Sequence, residues 1–197
     1  MSKQVDFYFD FGSPTSYLAW TQLPKITQAA GAALNLLPIL LGGVFQATGN
    51  HSPGQIPRKG AWMQRDMERY AARYGVLFVN NAHFPINTMH LMRGAIGYQM
   101  RKPAEFDVYV TTIYRAMWSD GLNLGDRAVL AEVLQRGGLD PNEFLAFIED
   151  PAVKDRLRAE TEAAVERGIF GAPTMFVGDA MYFGQDRLDF VREALQS

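Results

Sequence analysis

The first residues alternate. In Val5-Asp6-Phe7-Tyr8-Phe9-Asp10-Phe11, apolar and polar positions follow the two-residue period of a strand, with the aromatic and β-branched enrichment that strands favour. The run meets Gly12-Ser13-Pro14. Pro14 suits the first position of a helix because its missing N–H would have been unpaired there, which makes Ser13 the N-cap. The pattern predicts a helix through Tyr17, Leu18, Trp20 and Leu23 to about Ala30, closed by Gly31. Leu34 to Leu41 is nearly all apolar and reads as a second strand, buried on both faces. Together these make a β-α-β start. From Gly42 to Pro57 a Gly/Pro-rich stretch without periodicity reads as a long loop.

The period then changes. Met63, Met67, Tyr70 and Tyr74 fall at helical spacing, as do Phe106, Val110, Ile113 and Met117, so both segments carry an apolar helical stripe. Further helices are predicted to start at Asp126, at Asp140-Pro141-Asn142-Glu143 with a capping-box acid, and at Asp150-Pro151. Residues 55–150 are therefore expected to be helical. Strand character returns at Thr174-Met175-Phe176-Val177 and Ala180-Met181-Tyr182-Phe183, with Gly178-Asp179 between them as a type I′ turn signal. A last helix spans about Arg187 to Leu195. This order predicts an α/β core, β-α-β then β-β-α, interrupted by an all-helical insertion.

Composition narrows the function. The 197 residues carry a formal net charge of -2 with basic residues spread along the chain, so the footprint of a nucleic-acid binder is missing. No apolar run approaches a bilayer span, and Met1-Ser2-Lys3-Gln4 leads straight into the first strand without a signal-peptide core, so a soluble, cytoplasmic protein is expected. There are no cysteines, which excludes disulfides, thiolate ligands and a protein thiol nucleophile. Any sulfur chemistry must borrow its sulfur. His51, His83 and His90 have no zinc-like spacing, and no metal is expected.

Ser13-Pro14, taken alone, is a helix cap. Its position at the end of a strand also suits a bound thiol, because a helix N-terminus offers a partial positive charge, free N–H groups and here a hydroxyl, all favouring the anion. Gly171-Ala172-Pro173-Thr174 enters the late hairpin, and Pro173 cannot donate to the ladder it begins. In the β-α-β, β-β-α frame this is where thioredoxin-like folds keep a cis-proline, which would turn the Ala172 backbone towards Ser13.

Two stretches carry a family resemblance. Asp6 through Ala19, with Phe11-Gly12-Ser13-Pro14-Thr15-Ser16-Tyr17-Leu18 at its centre, resembles the N-terminal signature of the 2-hydroxychromene-2-carboxylate isomerases, relatives of the kappa-class glutathione transferases. Phe170-Gly171-Ala172-Pro173-Thr174-Met175-Phe176 and Phe183-Gly184-Gln185-Asp186-Arg187-Leu188 resemble their C-terminal signature. The resemblance implies a thioredoxin-like fold and glutathione as cofactor. It implies that Ser13 bonds the glutathione sulfur, Ala172 before Pro173 holds the cysteinyl backbone, and Gln185 with Asp186 holds the γ-glutamyl end. Asn50 and Lys59 match positions that reach glutathione, with His51 standing where many relatives carry lysine. Phe84-Pro85-Ile86-Asn87-Thr88 resembles a further family motif. There Thr88 is expected to cap the next helix and Asn87 to face the substrate, while Trp118, at the end of an apolar stripe, is expected to lie in the core or the pocket wall.

By this resemblance residues 1–54 and 151–197 form the glutathione-binding domain, and residues 55–150 are an insertion shaping the pocket for a small aromatic substrate. The implied reaction is isomerisation by reversible thiolate addition, ring opening, bond rotation and thiol release. A kappa-like transferase or peroxidase, or a glutathione-binding module without turnover, are the alternatives. The absence of a CxxC motif removes disulfide exchange. A homodimer is expected from the family and from the aromatic and methionine content of the insertion.

Overall fold

The structure is a computed structural model that describes residues 3–196. Met1 and Ser2, part of the expected direct entry into the first strand, lie outside the described residues, as does Ser197. Strand β1 (Gln4–Phe9) lies inside a four-stranded sheet of order β2-β1-β3-β4. It pairs in parallel with β2 (Ala33–Pro38) and antiparallel with β3 (Thr174–Val177), which pairs with β4 (Ala180–Phe183). Alternation sorts the side chains between two faces. Val5, Phe7, Phe9 and Met175 enter the main core with Leu18 and Leu23 of α1 (Pro14–Ala29). Tyr8 and Phe176 enter a smaller core on the opposite face with Val44 and Ala164.

After α2 (Leu41–Thr48) the helical block begins: α3 (Pro57–Tyr74), α4 (Met89–Arg101), α5 (Phe106–Trp118), α6 (Arg127–Arg136) and α7 (Pro141–Glu149). The chain then returns to the sheet through α8 (Pro151–Glu166), the hairpin and α9 (Leu188–Gln196). The second predicted stripe is core, with Phe106, Val110, Ile113 and Met117 all buried, whereas in the first only Met67 is buried and Met63, Tyr70 and Tyr74 are half-buried. The block is less uniformly helical than expected, since residues 76–87 are irregular and contain a cis Phe84-Pro85 bond.

Several expectations are corrected. Strand β2 is an edge of the sheet, so Ala33 and Asn35 are exposed rather than covered, and Gln99 of α4 donates to Leu36 O at 2.8 Å, 63 residues away in sequence. Much of the expected loop is α2. Its Val44 is buried in the second core, and Gly43 packs so closely on α8 that a Cβ would lie 3.2 Å from Thr161 Cγ2. Packing thus outweighs the roughly 1 kcal/mol helix penalty of each glycine.

The hairpin has Gly178 at φ +59 but no non-glycine residue at positive φ, which fits a type II′ turn and not type I′. Glu143 does not close a capping box; its carboxylate accepts from Lys102 Nζ at 2.6 Å. Gln185–Arg187 form a 3-10 turn, and the last α-helix starts only at Leu188.

Candidate active site

The N-terminus of α1 and the Ala172-Pro173 loop meet at one hydroxyl. Ser13 is the N-cap in extended conformation, and its Oγ accepts from Ser16 N at 3.1 Å. The same Oγ donates to Ala172 O at 3.0 Å and lies 3.0 Å from Thr15 Oγ1. Ser13 is only 4% exposed, so these contacts satisfy a hydroxyl shielded from water. Ala172-Pro173 is cis as expected. The loop is held from both sides: Gly184 N donates to Pro173 O at 3.0 Å, and Thr174 Oγ1 donates to Gly171 O at 2.8 Å.

The first turn of α1 keeps its positive end available. Pro14 has no N–H, Ser16 N is bound by Ser13 Oγ, and Tyr17 N donates to Ser13 O at 3.1 Å. Among the described residues this leaves the Thr15 N–H without a protein acceptor. An anion placed here would meet that N–H, the helix dipole and the Ser13 hydroxyl together.

The turn below is fixed by residues from distant elements. Trp118, 1% exposed, donates from Nε1 to Phe11 O at 2.7 Å and stacks with Phe78, its ring centroid 6.0 Å away. It is a core support, one of the two roles expected of it. The turn's other support had no sequence expectation attached. Asp10 is 1% exposed, with Oδ1 accepting from Gly12 N and Oδ2 from Leu41 N, both at 2.8 Å, and with the Thr88 side chain beside the same turn. Burial pushes its carboxyl upward against these hydrogen bonds, and burial wins.

The other residues singled out in the sequence divide into two groups. Asn50 joins the site, since its Nδ2 donates to Phe170 O at 2.8 Å and its Oδ1 accepts from His51 N at 2.8 Å. Gln185 is buried next to Gly184, and its carbonyl accepts from Tyr74 OH at 2.8 Å. Lys59, in the first turn of α3, is exposed and makes no hydrogen bond or ion pair with a described residue. Asp186 pairs only with its neighbour Arg187, at 2.5 Å.

Asn87 takes the capping role expected of Thr88. The Asn87 carboxamide accepts from Met89 N at 3.0 Å and so serves the start of α4, whereas Thr88 makes no capping bond and turns to Asp10. No group of His, Asp or Glu among the described residues is arranged to hold a metal.

A cavity of about 740 Å³ is a groove between α2, α4 and α8 lined by Leu40, Met89, Arg93, Leu157 and Arg158 among others. None of the site residues expected from the sequence lines it. Leu40 and Met89 nonetheless adjoin Leu41 and Thr88, which bind Asp10, so the groove runs beside the turn that carries Ser13.

Comparison with known proteins gives a consistent result. The family profile of the DSBA-like thioredoxin domain matches residues 4–196. The chain is 34% identical over 197 residues to the 2-hydroxychromene-2-carboxylate isomerase of Sphingobium xenophagum, covering 99% of each chain. It is 25% identical to glutathione S-transferase kappa 1 of Homo sapiens, covering 99% of this chain and 92% of that one. A solved structure of a selenomethionine 2-hydroxychromene-2-carboxylate isomerase superimposes with TM-score 0.87 at 34% identity, covering 98% of this chain and 94% of that one.

Proposed function

The chain belongs to the DSBA-like thioredoxin-domain family and, within it, to the 2-hydroxychromene-2-carboxylate isomerase family, and from that premise we propose that it is a glutathione-dependent isomerase of 2-hydroxychromene-2-carboxylate-type substrates. The observation that carries the reading is the 3.0 Å bond between Ser13 Oγ and Ala172 O at a helix N-terminus that retains a free Thr15 N–H. In a chain without cysteine, this cluster suits an anion supplied from outside, and a thiolate fits it.

When bound, glutathione would supply a thiolate for reversible addition to the conjugated substrate, the chemistry that lets a double bond rotate as a single bond. The residues present fit that cofactor. The Ser13 hydroxyl, turned from Ala172 O, and the Thr15 N–H would hold the sulfur, and the Ala172 backbone so released would pair with the cysteinyl unit as an added strand does. Gln185 and Asp186 would take the γ-glutamyl end, while Asn50 and Lys59 would take the glycyl end. A free thiol of pKa near ~8.5 is mostly protonated at neutral pH, and each unit of depression corresponds to about 1.4 kcal/mol of preference for the anion. The site's task is therefore activation and orientation. The thioredoxin-like part, residues 1–54 and 151–197, does this, while residues 55–150 shape the substrate pocket with Asn87 at its rim and Trp118 behind its wall.

The experiment is turnover of 2-hydroxychromene-2-carboxylate to trans-o-hydroxybenzylidenepyruvate with and without glutathione, counting free thiol throughout. Glutathione-dependent turnover with no thiol loss is expected. Thiol loss with a chlorinated aromatic or a hydroperoxide, and no isomerisation, would instead support the kappa-like transferase or peroxidase reading that the human relative suggests. Glutathione binding with no activity on any of these substrates would leave a binding module.

A further inference from the structure

Asp10 is the one carboxylate among the residues buried in the described structure. We propose that it is a positioning residue of the site, whose carboxylate joins the turn that carries Ser13 to the start of α2, which leads to Asn50, and to the Asn87-Thr88 turn. The proposal deepens the glutathione reading above and rests on it. Each oxygen meets a backbone N–H from a different element: Oδ1 meets Gly12 N within the turn and Oδ2 meets Leu41 N, 31 residues on, both at 2.8 Å. The Thr88 side chain lies beside the same turn and favours the ionised carboxyl. The Asp10 carbonyl also accepts from Ser13 N at 3.0 Å, so the same residue grips Ser13 through its backbone.

Space around it is tight as well. A Cβ at Gly12 would lie 3.0 Å from Thr88 Cγ2 and 3.3 Å from Asp10 Oδ1. Leu41 has no other cap: the N-cap Leu40 makes no side-chain bond, so α2 starts on Asp10.

Fold stability alone does not account for a carboxylate here. Burial raises its pKa above the unfolded value, so its contribution to stability is present at low pH and is lost as pH rises through the folded pKa. What the carboxylate provides is two acceptor oxygens for two N–H groups, which no neutral side chain of this size presents. The titratable side chain facing it is Tyr114 of α5, whose own pKa burial and the Asp10 charge raise; Ser16 Oγ and Tyr114 OH lie buried with no hydrogen-bond partner.

The test uses the full chain and two variants, Asp10→Asn and Thr88→Val. Asn keeps the shape but offers one acceptor, so either Gly12 or Leu41 loses its bond. Thr88→Val removes one donor and leaves both backbone bonds, which keeps the question open should the first variant unfold. In the wild type without glutathione, the Gly12 and Leu41 amide resonances should shift together in one titration. With glutathione, Asp10→Asn should hold about tenfold less thiolate at a given pH below the thiol pKa, with a matching fall in kcat, and Thr88→Val should lie between it and the wild type. The opposing effect gives the contrary result: if Asp10 were merely a nearby negative charge, removing it would increase the thiolate fraction. A higher or unchanged thiolate fraction in folded Asp10→Asn, or Gly12 and Leu41 amides that titrate apart, would overturn the assignment. Wild-type protein that binds no glutathione in calorimetry would overturn the functional reading instead, and the amide titration would still decide the joint grip of Asp10 on both elements.

Discussion

The floor and the rim of the candidate site are built by opposite means. On the floor, Ser13, Asp10 and Trp118 are at most 4% exposed, and the polar atoms of these three side chains have protein partners at 2.7 to 3.1 Å. On the rim, the Lys59 side chain stands in solvent without a partner among the described residues, and the Asp186 carboxylate pairs there with its neighbour Arg187. A buried polar group left unpaired costs about 1 to 3 kcal/mol, whereas an exposed one has water. The floor therefore has to be organised before any ligand arrives, and the rim need not be. Changes on the floor should disturb stability and chemistry together, while changes on the rim should be felt only when glutathione is present.

The strongest way to break this contrast is Trp118→Ala. It empties a large buried site and releases the Phe11 carbonyl, so chemical denaturation should show a loss of about 3 to 5 kcal/mol, and glutathione affinity should fall with it. A loss below about 1 kcal/mol would mean that the turn carrying Ser13 does not depend on this support. A smaller effect sharpens the rim. Lys59→Met should leave the denaturation midpoint in place and weaken glutathione by only a few-fold, less so at high salt, because exposed ion pairs contribute little. Unchanged affinity in low salt would remove Lys59 from the site.

The same contrast explains what the sequence disclosed. Residues whose role is local could be read directly: Ser13 and Pro14 at the start of α1, the strands Thr174–Val177 and Ala180–Phe183, and the stripe of Phe106, Val110, Ile113 and Met117. The meeting of Ser13 with Ala172, 159 residues away, was legible only because two motifs suggested one frame. Roles set by remote partners were hidden. Asp6 and Asp10 both fall on polar positions of an alternating run, yet Asp6 pairs with Arg167 near the surface while Asp10 is enclosed by α2 and the Thr88 turn. The passing of the capping role from Thr88 to Asn87 has the same origin, since Thr88 lies against the turn of Gly12 and Asp10. Helix α2 was masked by its glycines, whose small size is what lets it approach Thr161.

The central claim, that Ser13 stabilises a bound thiolate and does more than cap α1, is tested most directly by the ultraviolet thiolate absorbance of the glutathione complex in Ser13→Ala and wild type. Loss of one charge-assisted hydrogen bond of roughly 1.5 to 3 kcal/mol should raise the thiol pKa by about one to two units and lower the absorbance near neutral pH. Loss of the cap alone should cost about 1 kcal/mol of stability and leave the absorbance per folded molecule unchanged. The account predicts the first result. A folded Ser13→Ala protein with wild-type thiolate absorbance and wild-type turnover would contradict it.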